Sequence, residues 1–121
     1  MKSVLVLGAS TKPDRISNLA TRRLVESGYQ VQLLGTETNA SIAGIPIHTK
    51  WSELTFPIDT ITLYLNPVRQ KAYYQNILES KPERIIFNPG TENLELEVLA
   101  EDSSIQIQEA CTLVLLRTGQ F

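Results

Sequence analysis

The sequence predicts an α/β domain of three layers, with helices on both faces of a mostly parallel five-stranded sheet. Three observations predict it. Short apolar runs alternate with stretches of helical spacing along the whole chain, the pattern of βαβ units joined by right-handed crossovers. The runs at Ser3–Leu7 and Arg84–Phe87 are continuous rather than strictly alternating, which suits strands buried on both faces. A length of 121 residues with 42% apolar and 20% charged content fits one domain, 1–121, with its own core.

Each element has its own signal. Ser3–Leu7 is a strand stopped by Gly8. Leu19, Ala20, Leu24 and Val25 fall at helical spacing, and Gly28 is placed to stop that helix. Tyr29–Leu34 is the second strand. From Gly35 to Lys50 the chain is polar and broken by Gly44 and Pro46, so a connection with a short extended piece at Ile45–Ile47 is expected. Trp51–Leu54 is a helical turn, and Asp59–Leu65 a third strand.

Pro67 suits the first turn of a helix, which the pattern carries through Val68–Glu79. In it Tyr73 and Tyr74 point in different directions, one to the core and one outward. Arg84–Phe87 is the fourth strand, closed by Asn88-Pro89-Gly90. Thr91 or Asn93 caps the next helix, whose Leu94, Val98 and Leu99 share an apolar face. The acids between 92 and 102 form its wet side. Ile105–Ile107 is the fifth strand, and Thr112–Arg117 a last helical turn. The whole is a Rossmann-like three-layer αβα domain.

Composition excludes several function classes. A net charge of −2 and a pI near 5.4 speak against a nucleic-acid partner. The single cysteine, Cys111, and single histidine, His48, make no disulfide framework and no zinc site. Cys111 reads as a small buried hydrophobe, and His48 as a surface or packing residue. The apolar start, Met1–Leu7, is too short for a signal-peptide core, and no stretch approaches the roughly 20 residues of a membrane span. A cytoplasmic protein without a membrane partner is expected.

In open α/β sheets ligands sit at the carboxyl ends of the strands, where strand order reverses, which points to the loops 8–18, 35–44, 65–68 and 88–93, with Gly35 and Asn88-Pro89-Gly90 among the candidate binding residues. The loop after the first strand carries the parts that hold phosphates. Gly8 permits a tight turn and close approach, and Ala9 continues it. Ser10, Thr11, Ser17 and Asn18 bring hydroxyls and an amide, while Lys12 and Arg15 bring charge around Pro13. The following helix presents free N–H groups and its positive end. An ordinary strand-to-helix turn with solvated charges stands as the alternative, because Ser10 and Pro13 occupy positions where a dinucleotide fingerprint would have glycine.

Gly8-Ala9-Ser10, Lys12-Pro13-Asp14-Arg15 and Ser17-Asn18 also resemble the start of the small stand-alone CoA-binding domains related to the CoA-binding part of succinyl-CoA synthetase. Gly44, Trp51-Ser52-Glu53-Leu54 and Asn88-Pro89-Gly90 match later landmarks. The resemblance implies coenzyme A across the carboxyl edge of the sheet. Gly8, Ala9, Ser10 and the segment Lys12 to Arg15 would meet the diphosphate, the second loop would flank the adenosine, and Asn66-Pro67 would line the cleft.

Two positions depart from the family pattern. Gly35-Thr36-Glu37 stands where an Asn-Pro-Lys-like segment is usual, and Glu109-Ala110-Cys111 stands for Asp-Arg-Cys. Glu37 would repel a 3′-phosphate but suits the free ribose hydroxyls of NAD; it is otherwise a surface residue.

The expected function is binding of CoA or an acyl-CoA, without evident catalytic machinery, in a carrier, sensor or regulatory role. Alternatives are an NAD(H)-binding redox sensor and a non-catalytic subunit of an acyl-CoA ligase or transferase. A homo-oligomer or a partner enzyme chain is the expected assembly.

Overall fold

A computed structural model describes residues 2–121; Met1 lies outside the described residues. Strands β1 (Ser3–Ala9), β2 (Gln30–Gly35), β3 (Ser41–Ile42), β4 (Ile45–His48), β5 (Thr60–Leu63), β6 (Arg84–Phe87) and β7 (Gln106–Glu109) alternate with helices. The helices are α1 (Ile16–Glu26), α2 (Pro67–Gln70), α3 (Tyr74–Ser80), α4 (Leu94–Asp102) and α5 (Thr112–Arg117). The sheet runs in the order β3-β4-β2-β1-β5-β6-β7. Its pairings are parallel except that of β3 with β4.

β1 lies at the centre and is buried on both faces, as its unbroken apolar run requires. Leu5 and Leu7 turn to the side of α3 and α4, where they meet Ile61, Leu63, Ile85, Phe87, Ile77, Leu96 and Ala100. Val4 and Val6 turn to the other side, with Val31, Leu33, Ile47 and Leu24 of α1, while Leu116 of α5 packs at its margin. Each fully buried aliphatic side chain contributes roughly 1.5–3 kcal/mol.

The structure corrects the expectations for several elements. The sheet has seven strands rather than five. The extended piece near Ile45 is one arm of a hairpin, β3–β4, turned through Ala43 and Gly44, both at positive φ (51° and 80°). That hairpin covers the outer edge of β2, which would otherwise be left unpaired.

The helix expected over Val68–Glu79 is broken. A tight 3-10 turn at Lys71–Tyr73 separates α2 from α3. Gln70 is fully buried, its amide nitrogen donating to the Leu65 and Thr91 carbonyls at 2.9 and 2.8 Å. Tyr73 and Tyr74 are both half-buried against the same core, where one was expected outward.

In α4 the buried side is Leu96, Glu97 and Ala100, while Leu94 and Val98 are 77% and 46% exposed. Asn93 caps this helix, accepting from the Leu96 amide at 3.3 Å. Thr91 instead donates its hydroxyl to the Asn88 carbonyl at 2.8 Å.

Candidate functional site

Strand order reverses between β1 and β5, because β1 is followed in sequence by β2 on one side and β5 adds on the other. A cleft of about 560 Å³ opens at the carboxyl ends of these strands. One wall is the loop from β1 into α1, a second is the end of β2, and a third is the end of β5 with α2.

Backbone geometry lets the walls approach. Gly8 has φ +104°, and a Cβ there would sit 3.0 Å from the Tyr64 carbonyl carbon. At Gly35 a Cβ would fall 2.6 Å from the Ala9 carbonyl oxygen, so the close approach there is between two strand ends rather than to a ligand. Their register, Ala9 opposite Gly35, brings Thr11 and Glu37, two residues further on, to face each other.

Glu37 holds the loop. The Thr11 amide donates to Glu37 Oε1 at 2.9 Å, and the Thr11 hydroxyl donates to Oε2. These two bonds, the hydroxyl's first, hold the Glu37 carboxyl below its ordinary 4.5, with smaller help from Ser10 and Lys12. Asn18 braces the loop from the other side. It is buried, its amide nitrogen donating to the Ser10 carbonyl at 2.9 Å, and its carbonyl accepting from Arg22 Nε at 2.9 Å.

Helix α1 opens into the cleft without a cap. Arg15 occupies the N-cap position, makes no side-chain cap bond, and no acid stands in the first turn. The Asn18 and Leu19 amides turn back to the Arg15 carbonyl at 3.1 and 3.3 Å. The first N–H groups of a helix have no intrahelical acceptor, and Ile16 and Ser17, in the first turn, line the cleft. Lys12, Arg15 and Arg69 also line it, as do the acids Asp14 and Glu37. Among the described residues the one ion pair is Arg23–Glu26, so these three cations have no carboxylate partner. Free amides, a positive helix end and unpaired cations are the chemistry of an anion site.

Of the residues singled out in the sequence, Gly8, Ala9, Ser10, Lys12 and Arg15 line the cleft together with Ser17, Gly35, Glu37 and Pro89. The others do not. Thr11 and Asn18 shape the loop, and Pro13 is exposed beside it. Asn66 caps α2, accepting from the Arg69 amide at 2.9 Å, with Pro67 in the first turn. Asn88 is buried and turned inward. Its Nδ2 donates to Thr62 Oγ1 and the Leu63 carbonyl at 2.7 and 2.9 Å, and its Oδ1 accepts from the Thr112 amide at 2.8 Å. Gly90 stands outside the lining, its amide bonded to Glu92.

Leu65, at the start of the candidate loop 65–68, is in the lining, and so are Tyr64 and Arg69, which the sequence did not single out. Arg69 had one local signal, its place in the first turn after a strand and a proline. Tyr64 lines the cleft and packs against the cluster of Val4 and Val6, while its hydroxyl is buried without a hydrogen-bond partner. Burial pushes this phenol up to about 12, an effect the nearby Thr112 and Thr62 hydroxyls offset only in part, since they bond each other at 2.8 Å. Cys111 is half-buried at the start of α5, and His48 is half-buried at the end of β4; neither lines the cleft.

Among the described residues no group of His, Cys, Asp and Glu is arranged to hold a metal ion, and no helix is long and apolar enough to cross a membrane.

Comparison with known proteins agrees with this geometry. The chain is 40% identical to an uncharacterised protein of known crystal structure, covering 100% of this chain and 98% of that one, with a TM-score of 0.94. The structure of cell-free ID.343 from Thermus thermophilus superposes with a TM-score of 0.88 at 22% identity, over 99% of this chain and 90% of that one. A dinucleotide-forming acetyl-coenzyme A synthetase 1 of Ca. Korarchaeum cryptofilum, solved with phosphate and ADP, shares the fold at 17% identity and a TM-score of 0.72. There the match spans 90% of this chain but 25% of the synthetase. No curated protein sequence matches the chain. Residues 2–117 match the CoA binding domain, and with the loop, the open helix end and the cleft in the places described, the chain belongs to the CoA binding domain family.

Proposed function

We propose that the cleft binds coenzyme A, with its phosphates held at the start of α1 by Lys12, Arg15, Arg69 and the amides of the first helical turn. The observation that carries this reading is the uncapped start of α1 beside three unpaired cations, in a chain of the CoA binding domain family. Coenzyme A offers a diphosphate and a 3′-phosphate, and so gives such a site more anionic charge to hold than NAD does. The NAD reading rested on Glu37 as a ribose acceptor, and both Glu37 oxygens are engaged by Thr11.

The site belongs to one domain, and the bound coenzyme serves a carrier, sensor or regulatory role rather than a reaction performed by this chain. The cytoplasm, a reducing compartment, suits its single free thiol, Cys111.

Calorimetric titration with coenzyme A, dephospho-CoA and NAD tests this reading. Coenzyme A is expected to bind best, and Arg69→Ala to weaken it about tenfold or more, the loss of one charge-assisted hydrogen bond. Absence of heat with coenzyme A at millimolar concentration, or an unchanged affinity in Arg69→Ala, overturns the assignment of this cleft.

A further inference from the structure

Glu37 stands at the rim of a cleft that Lys12, Arg15 and Arg69 line with one other acid, Asp14. A free carboxylate there opposes an anionic ligand. The geometry gives it another task. β1 and β2 end in register, Ala9 opposite Gly35, with room for nothing larger than hydrogen on Gly35. Thr11 and Glu37 leave these strands as the next facing pair, and both carboxylate oxygens accept from Thr11.

The rest of the loop is anchored elsewhere. Asn18 holds the Ser10 carbonyl, the Lys12 amide donates to Ser10 Oγ at 3.2 Å, and the Arg15 amide to the Lys12 carbonyl at 3.0 Å. Thr11 is held from across the sheet by two hydrogen bonds, and Ser10 and Lys12 add smaller attractions to the same carboxylate.

We propose that Glu37 is a positioning residue of the phosphate site, one that fixes Thr11, and through it the turn from Ser10 to Arg15, in ligand-receiving shape without itself touching the ligand. The inference rests on the coenzyme A reading for the identity of that ligand, and on the two hydrogen bonds alone for the loop. It reverses the role expected from charge: removing the carboxylate is to weaken binding, not strengthen it.

The experiment separates the two levels. In the ligand-free protein, amide hydrogen exchange at Thr11 is expected to quicken about tenfold or more in Glu37→Ala, while the amides of β1 and the middle of α1 stay unchanged and report an intact fold. In titrations, Glu37→Ala is expected to weaken coenzyme A and dephospho-CoA by the same factor, about tenfold. Thr11→Val keeps the main-chain donor and so loses less, and the double variant is no worse than Glu37→Ala, as required if one residue acts through the other.

Tighter binding of coenzyme A by Glu37→Ala, with dephospho-CoA unaffected, overturns the proposal in favour of direct repulsion of the 3′-phosphate. Unchanged exchange at Thr11 overturns it whatever the titrations give. If the unaltered protein binds neither compound, the coenzyme A reading fails, and the exchange measurement still decides whether Glu37 holds the loop.

Discussion

Glu97 shows how far one residue can depart from the pattern around it. The acids between 92 and 102 look like the wet side of a helix, yet Glu97 is 8% exposed and its Oε2 accepts from the Asn93 amide at 3.1 Å. Burial, and after it the neighbouring Glu109 and Glu101 carboxylates, raise its carboxyl above the ordinary 4.5, against the pull of the Asn93 amide. A carboxyl raised on folding holds more protons in the folded than in the unfolded chain between the two values, so its contribution to stability falls as pH rises through that window. Glu97→Gln keeps a side-chain acceptor for Asn93 and removes the charge. It is expected to be more stable than the parent protein at neutral pH and equal to it below pH 4.5. Urea unfolding at a series of pH values checks this; a Gln variant that is less stable at pH 7 contradicts it.

At the scale of elements, the join between β5, β6 and α5 depends on one side chain. Asn88 follows β6, in a loop at the carboxyl end of a strand where a ligand is expected. It is instead buried, and bonds Thr62, Leu63 and Thr112. Asn88→Ala leaves buried partners on β5 and at the start of α5 unsatisfied. An unsatisfied buried group costs roughly 1–3 kcal/mol, so a loss of about 2–4 kcal/mol in chemical unfolding is expected, while coenzyme A binding to the folded variant changes little. A variant of normal stability with weakened binding would return Asn88 to the site. The break between α2 and α3 has a similar origin: Gln70 is drawn inward by carbonyls of two loops, an interaction invisible in the helical spacing of 68–79.

For the whole molecule, the cleft is a surface that exists only in the folded chain, so its ligand and its stability are linked. Coenzyme A at about 100 times its dissociation constant is expected to add about 2.7 kcal/mol, read as a rise in the thermal midpoint. Because Lys12, Arg15 and Arg69 are exposed, salt should reduce that rise. An equal rise at low and high salt would mean that these cations do not meet the phosphates.

The sequence by itself determined the layers, the alternation of strands and helices, and the phosphate-suited turn after β1. These follow from periodicity, capping residues and a glycine stop, all of which act over a few neighbouring residues. Tertiary structure decided what meets across the sheet. The register of β1 with β2 set Glu37 against Thr11, the approach of β5 brought Tyr64 and Arg69 to the cleft, and the packing of α5 turned Asn88 inward. Those outcomes depend on contacts between residues 24 to 57 positions apart, whose distances no local pattern encodes.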